Sequence, residues 1–302
     1  MSTVATPAPA TTGAAAATAP RGARVRRILR DVPVNVFLLI VALLWLIPAL
    51  GLLVTSFRPA GDFLVSGWWR AIISHPGSLT MSNYKDVIQN AGIGDALVTT
   101  ILISVPTTIL VVLVAALAGY AMVFQQWPGR DWVFVAVVGL LVVPLQMALI
   151  PVASLYGHIG LYGNIPGVVL FHTAFGLPFA IFLMRNFYTG IPKDLLEAAR
   201  IDGASEWTMF TRIVLPLGRP ALASLAIFQF LWVWNDLLVA LVFLGSSTRQ
   251  PLTVAIFSQL RQFNANIDII AVASFISLII PLAVFLAFQR QFVRGVLAGA
   301  VK

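Results

Sequence analysis

The chain has 302 residues, 59% of them hydrophobic and only 10% charged, with a mean hydropathy of +0.94. That is too little polar side chain to clothe a water-facing surface, so the composition places the chain in the membrane class. The absence of cysteine excludes a disulfide framework, a thiolate nucleophile and a cysteine metal site, and the net charge of +8 is distributed as a membrane, not a nucleic acid, requires.

The first twenty residues are dominated by Ala, Thr and Pro and carry no charge; Arg21, Arg24, Arg26, Arg27 and Arg30 follow. A secretory signal would place its positive region directly before the apolar stretch, without a long neutral preface. Residues 1–32 therefore read as a disordered cytoplasmic tail whose arginines lie against anionic headgroups, with an active role left open.

Six stretches then reach the roughly 20 mostly apolar residues that a hydrocarbon core of about 30 Å demands. They fall at 34–56, 96–124, 132–156, 166–188, 218–243 and 267–289. Each must be helical, because unpaired backbone groups in lipid cost several kcal/mol apiece, and the fold class is all-α with six transmembrane helices. Pro48, Pro106, Pro144, Pro178 and Pro281 predict kinks, which serve either packing or a bendable, cavity-lining wall. Outer loop 57–95 carries Trp68, Trp69 and Tyr84 and reads as an aromatic belt, and 244–266 reads as polar and mobile. The hairpin 157–165 reads as merely connective. His75, His158 and His172 are scattered without an HExxH pair, which favours packed or interfacial side chains over ligands.

Orientation follows from Lys and Arg in the loops. An even number of spans puts both termini on one side, and that side holds fourteen basic residues against five opposite. The termini and the segment 185–219 are thereby assigned to the cytoplasm.

No lysine here is preceded by glycine, since Lys85, Lys193 and Lys302 follow Tyr84, Pro192 and Val301, so the chain has no P-loop and cannot hydrolyse ATP itself. It also lacks the intramembrane carboxylate series of proton-coupled carriers. Asp236, in Trp234-Asn235-Asp236, is the one acid away from the first residues of a predicted span, roughly 27 Å from the cytoplasmic entry and near the outer interface. It reads either as lining a substrate path, with Asn235 and Trp234, or as bonded structurally to Asn235 or an outer loop.

The segment Arg185–Arg219 holds nine charged residues and is too polar to span a bilayer. Pro192 and Asp194 suit the first turn of a short helix, in which Leu195, Ala198 and Ala199 form a small apolar face and Glu197 is spaced to meet Arg200. Gly203 is placed to end it in a left-handed conformation, and Ser205 to cap a second helix carrying Trp207, Phe210 and Ile213 or Val214. Leu215 before Pro216 predicts that the chain leaves the helix there. The result is helix, glycine bend, helix, either a plain connector or a docking handle.

The pattern Glu197-Ala198-Ala199, Asp202-Gly203-Ala204, Phe210, Ile213, Leu215-Pro216 and Pro220 resembles the EAA signature of binding-protein-dependent ABC importer permeases. The likeness covers about 93–290 and implies the type I importer permease fold, with cytoplasmic coupling helices that sit in a cleft of a separate ATPase subunit. It implies Glu197 as a polar contact to that ATPase, Ala198 and Ala199 as close-packing positions, Asp202 and Gly203 as the bend, and Ala204 as part of the docking face. Phe210, Leu215 and Pro216 complete the coupling segment. The tail from Gln289 to Lys302, Trp234-Asn235-Asp236 and Gln250-Pro251-Leu252-Thr253 resemble the maltose-type carbohydrate branch. Ser56-Phe57-Arg58-Pro59 and Gly67-Trp68-Trp69 look like the α-glucoside permeases.

The domains implied are a tail at 1–32, a first span and outer loop at 33–92, the ABC transmembrane domain at 93–290 and a cytoplasmic tail at 291–302. The implied partners are cytoplasmic ATPase subunits, a second permease subunit forming a heterodimer, an extracytoplasmic sugar-binding protein and membrane lipids. No nucleic acid, cofactor or metal is implied. A secondary transporter or channel, a permease for a non-sugar solute, and a structural or signalling subunit are the alternatives.

Overall fold

The computed structural model describes residues 21–62, 65–74, 76–89, 92–260 and 267–300, with side-chain surroundings described outside 21–31, 60, 76 and 290–300. The tail reading of 1–20, His75, the loop residues Arg261–Asn266 and Lys302 lie outside the described residues. So do the side chains of Arg290 and Arg294.

Among the described residues every regular element is helical. Helix α1 (Arg21–Ser56) begins well before residue 34, so the arginine cluster continues the first span as helix. Two compact units, Met1–Leu50 and Gly51–Lys302, divide within it. In the first unit, residues 32–50 carry no charge and are apolar on all sides, as a span requires.

The second unit opens with the outer segment, which is knitted rather than loose. It contains α2 (Trp68–Ile73) and α3 (Ser82–Gln89). Buried Arg58 donates from Nη2 to the Asp62 carbonyl at 2.7 Å and to Ser66 Oγ at 2.8 Å. Asn83 Nδ2 donates to the Ser56 and Arg58 carbonyls at 3.2 and 2.6 Å, so polar side chains stitch this segment to the end of α1.

Helix α4 (Ile93–Phe124) follows, then α5 (Arg130–Leu140) and α6 (Leu145–His158). The sequence predicts one span over 132–156, but the structure breaks it by 100° between α5 and α6. The cause is Pro144, extended at φ −64°, ψ 128°, which lacks an N–H and disfavours helical backbone in the residue before it. Helix α7 (Ile165–Tyr188) packs closely along α4. A Cβ on Gly119 would lie 3.0 Å from Met184 Cβ and 3.3 Å from the Arg185 nitrogen, so this crossing depends on a small residue.

The two short helices α8 (Asp194–Ile201) and α9 (Glu206–Met209) precede a π-helical turn, Phe210–Val214, and α10 (Leu215–Trp234). The predicted exit at Leu215 does not occur, because helical geometry runs on through Pro216. The Leu215 N–H reaches back five residues to the Phe210 carbonyl. This wider turn gives the Pro216 ring room where a regular α-turn would press a carbonyl against it.

The fifth predicted span, 218–243, is likewise broken, at 235–237 between α10 and α11 (Leu238–Leu244). The outer loop after it contains α12 (Leu252–Leu260), anchored by fully buried Leu252 and Val254, so its described part is a packed helix rather than a mobile polar loop. Helix α13 (Ile267–Ala300) packs on α10. The hairpin 157–165 does more than connect. Tyr162 OH donates to the Val242 carbonyl at 3.0 Å and the Gly163 N–H to the Phe243 carbonyl at 3.2 Å, satisfying the end of α11. Five described helices are long and apolar enough to cross a bilayer, and the bent α5–α6 pair makes a sixth crossing if counted as one.

Candidate functional site

The handle begins where α7 ends. Buried Ile191 leads into Pro192 and Lys193, whose carbonyls accept the first N–H groups of α8, from Leu195 at 3.4 Å and from Leu196 and Glu197 at 2.9 and 3.0 Å. Leu196, 1% exposed, is the residue α8 buries, with Ala199 packed beside it. Leu195, expected to share a small apolar face with Ala198 and Ala199, is 48% exposed and lies with Ala198 and Ile201, itself 86% exposed, on the outward side, while Ala199 turns toward the core. Positions i, i+3 and i+6 thus present an apolar row to solvent, next to the exposed carboxylate of Glu197.

The bend is a Schellman turn. Gly203 takes φ +81°; its N–H bonds the Arg200 carbonyl at 3.0 Å, and the Ala204 N–H bonds the Ala199 carbonyl at 2.9 Å. Asp202, exposed, is the last residue before that turn. Ser205 then caps α9, its Oγ accepting from the Thr208 N–H at 3.2 Å. Trp207 is 66% exposed and tilts against the Phe210 ring at 5.7 Å, whereas Phe210 is buried edge-on to Tyr120 at 5.3 Å. Ala204 and Leu215 pack partly against the same core, and Pro216 is half-buried.

The charges of the handle do not pair as their spacing suggests. Arg200 turns away from Glu197 and grips Glu206 across the bend, with Nε and Nη2 at 3.1 and 3.0 Å from Oε1. Its Nη2 also donates to the Phe124 carbonyl, in the last turn of α4, at 3.2 Å. Glu206 Oε2 accepts from Tyr120 OH at 2.6 Å. Tyr120 precedes Glu206 by 86 residues, and no local pattern in the sequence signals that partnership.

A second cluster lies around the break between α10 and α11. Asp236 accepts the Val239 and Ala240 N–H groups at 3.4 and 3.0 Å, capping α11, and His172 Nε2 lies 3.5 Å from its Oδ2. Thr253 Oγ1 donates to the Asp236 carbonyl at 2.6 Å, and the Leu252 N–H to Thr100 Oγ1 at 2.8 Å, tying α12 to both α4 and the break. Thr100, His172, Asp236 and Thr253 line a cleft with room for about one water molecule. Asn235 is exposed and donates to the Leu231 carbonyl at 2.8 Å, while Trp234 is buried and donates to the Ser277 carbonyl of α13 at 3.1 Å. His172, scattered from the other histidines in sequence, is fully buried against Asp236 and edge-on to Trp232 at 5.1 Å.

A polytopic helical bundle with a projecting, glycine-bent helix pair is thus defined. Residues 96–297 match the family described as binding-protein-dependent transport system inner membrane component, and the chain belongs to that family. It is 46% identical over 277 residues to the osmoprotective compounds uptake permease protein GgtD of Synechocystis sp., spanning 90% of this chain and 93% of that one. It is 47% identical over 233 residues to the alpha-glucoside transport system permease protein AglG of Rhizobium meliloti, spanning 75% of this chain and 61% of that relative. The backbone matches a chain of a bacterial ABC transporter involved in the import of the acidic polysaccharide alginate with a TM-score of 0.71 at 21% identity, over 91% of this chain and 99% of that one, a likeness of fold.

Proposed function

We propose that this chain is a membrane-spanning permease subunit of an ATP-driven importer for sugars, set in a bacterial inner membrane with both termini in the cytoplasm. Separate ATPase subunits grip the handle and hydrolyse the ATP, a second permease subunit completes the pathway as a heterodimer, and an extracytoplasmic binding protein delivers the solute. The observation that carries this reading is the handle. A capped, glycine-bent helix pair holds Leu195, Ala198, Ile201 and Trp207 in the open beside Glu197, in a chain belonging to the family above.

In this reading Glu197 and Ala198 meet the ATPase. Asp202 and Gly203 shape the bend, Ala204 belongs to the docking face, and Ala199, Phe210, Leu215 and Pro216 seat the handle on the bundle. The sugar class is supported by the alpha-glucoside relative. Asn235 and Asp236 stand at the substrate path where α10 breaks, with Trp234 fixing that break to α13. The inside-positive count of fourteen to five supports the orientation.

Reconstitution with the ATPase and binding protein tests it. Glu197→Lys and Gly203→Pro are each expected to cut ATP-driven sugar uptake more than about tenfold. Uptake that survives both changes, or needs no ATPase, points instead to a secondary transporter or channel. ATPase binding without solute movement points to a structural or signalling subunit.

A further inference from the structure

We propose that Tyr120, acting through Glu206 and Arg200, is a positioning residue that fixes the handle to the end of α4, so that a displacement of the handle reaches α4 instead of being absorbed at the Gly203 bend. The proposal rests on the importer reading above for its transport consequences, though its geometry stands without it.

The bend has little else to stiffen it. A Cβ added at Gly203 would meet nothing within 4 Å, so no side chain packs against the turn at that point. Two backbone hydrogen bonds close it, and the Arg200–Glu206 pair bridges it from α8 to α9. Both partners of that pair are more than 40% exposed, and an ion pair so wet holds little by itself.

What changes the balance is Tyr120. Its ring is buried in the last turns of α4, edge-on to Phe210, and its hydroxyl donates to Glu206 at 2.6 Å, a short bond strengthened by the carboxylate's charge. Arg200 closes the loop by donating to the Phe124 carbonyl, at the negative end of the α4 dipole. The two short helices are therefore each tied to α4, one through Arg200 and one through Glu206. Cutting the Tyr120 bond leaves the exposed ion pair, the Arg200 bond to the Phe124 carbonyl, the Schellman turn and the apolar seating of Leu196, Ala199 and Ala204 to resist a change of angle.

The test uses the reconstituted complex with Tyr120→Phe and Glu206→Gln, neither of which alters the outward row on α8. The ATPase subunits are expected to co-purify and to hydrolyse ATP within about twofold of wild type, while sugar moved per ATP falls about tenfold in both variants. An unchanged ratio overturns the proposal. So does a parallel loss of uptake and hydrolysis, the signature of a merely structural hydroxyl. If the wild-type complex moves no sugar on ATP, it is the importer reading that fails. The clamp is then read by hydrogen exchange in the full chain in lipid nanodiscs. Amides of 203–209 are expected to exchange about tenfold faster in both variants while those of α7 do not change, and unchanged exchange at 203–209 overturns it.

Discussion

The handle and the cluster around Asp236 dispose of polar and apolar groups in opposite ways. The handle leaves Leu195, Ile201 and Trp207 in the open and keeps Arg200 and Glu206 half-exposed. The cluster hides Thr100 and His172 completely, turns Asp236 inward to cap α11, and lines its cleft with them. An exposed apolar row adds nothing to the chain's own stability, whereas a largely covered carboxylate beside a fully buried imidazole must be satisfied for the bundle to hold. The exposure of the handle fits the partner proposed for it, whereas the cluster is arranged by its own neighbours.

Substitutions within the handle sharpen the contrast most. Leu196→Asp drives a carboxylate into the space α8 fills in the core, and is expected to cost about 3–5 kcal/mol. Leu195→Asp, one residue away on the open row, is expected to change stability by less than about 0.5 kcal/mol while weakening retention of the ATPase. Thermal unfolding in detergent and co-purification separate the two effects, and equal melting temperatures for the two variants break the comparison.

A smaller effect is expected at the cluster. Asp236→Ala removes the acceptor of two α11 N–H groups and the partner of His172, for a loss of about 1–3 kcal/mol. Adding His172→Phe to it is expected to recover part of that loss, since the imidazole then has no partner to miss. The double-mutant cycle is measured by the same melts, and strict additivity contradicts the pairing.

Much of this was legible in the residues. Hydropathy located all six apolar stretches, and Gly203 and Ser205 announced the turn and the cap by the chemistry such positions require. The breaks were not legible, because a window long enough to find a span averages over Pro144 and over Asn235-Asp236. Asp236 looked like an isolated acid in a continuous helix, yet it terminates one helix and starts another by bonding backbone N–H groups, a competition its short side chain makes possible. Pro216 misled for the converse reason, since a π turn just before it lets the helix continue. Partnerships were hidden most deeply. Arg200 prefers Glu206 to Glu197 because the Gly203 bend brings α9 back toward it, and Tyr120 and His172 find their carboxylates only through the packing of α4 and α7.

Contact between the outward row of α8 and the ATPase is open to a direct test, because the chain has no native cysteine. Ala198→Cys, labelled with a maleimide-linked photocrosslinker in membranes holding the whole complex, is expected to capture the ATPase subunit, while Ser246→Cys, exposed beyond α11, captures none. Equal capture from both positions, or none from Ala198→Cys in a complex that still imports, would contradict the account.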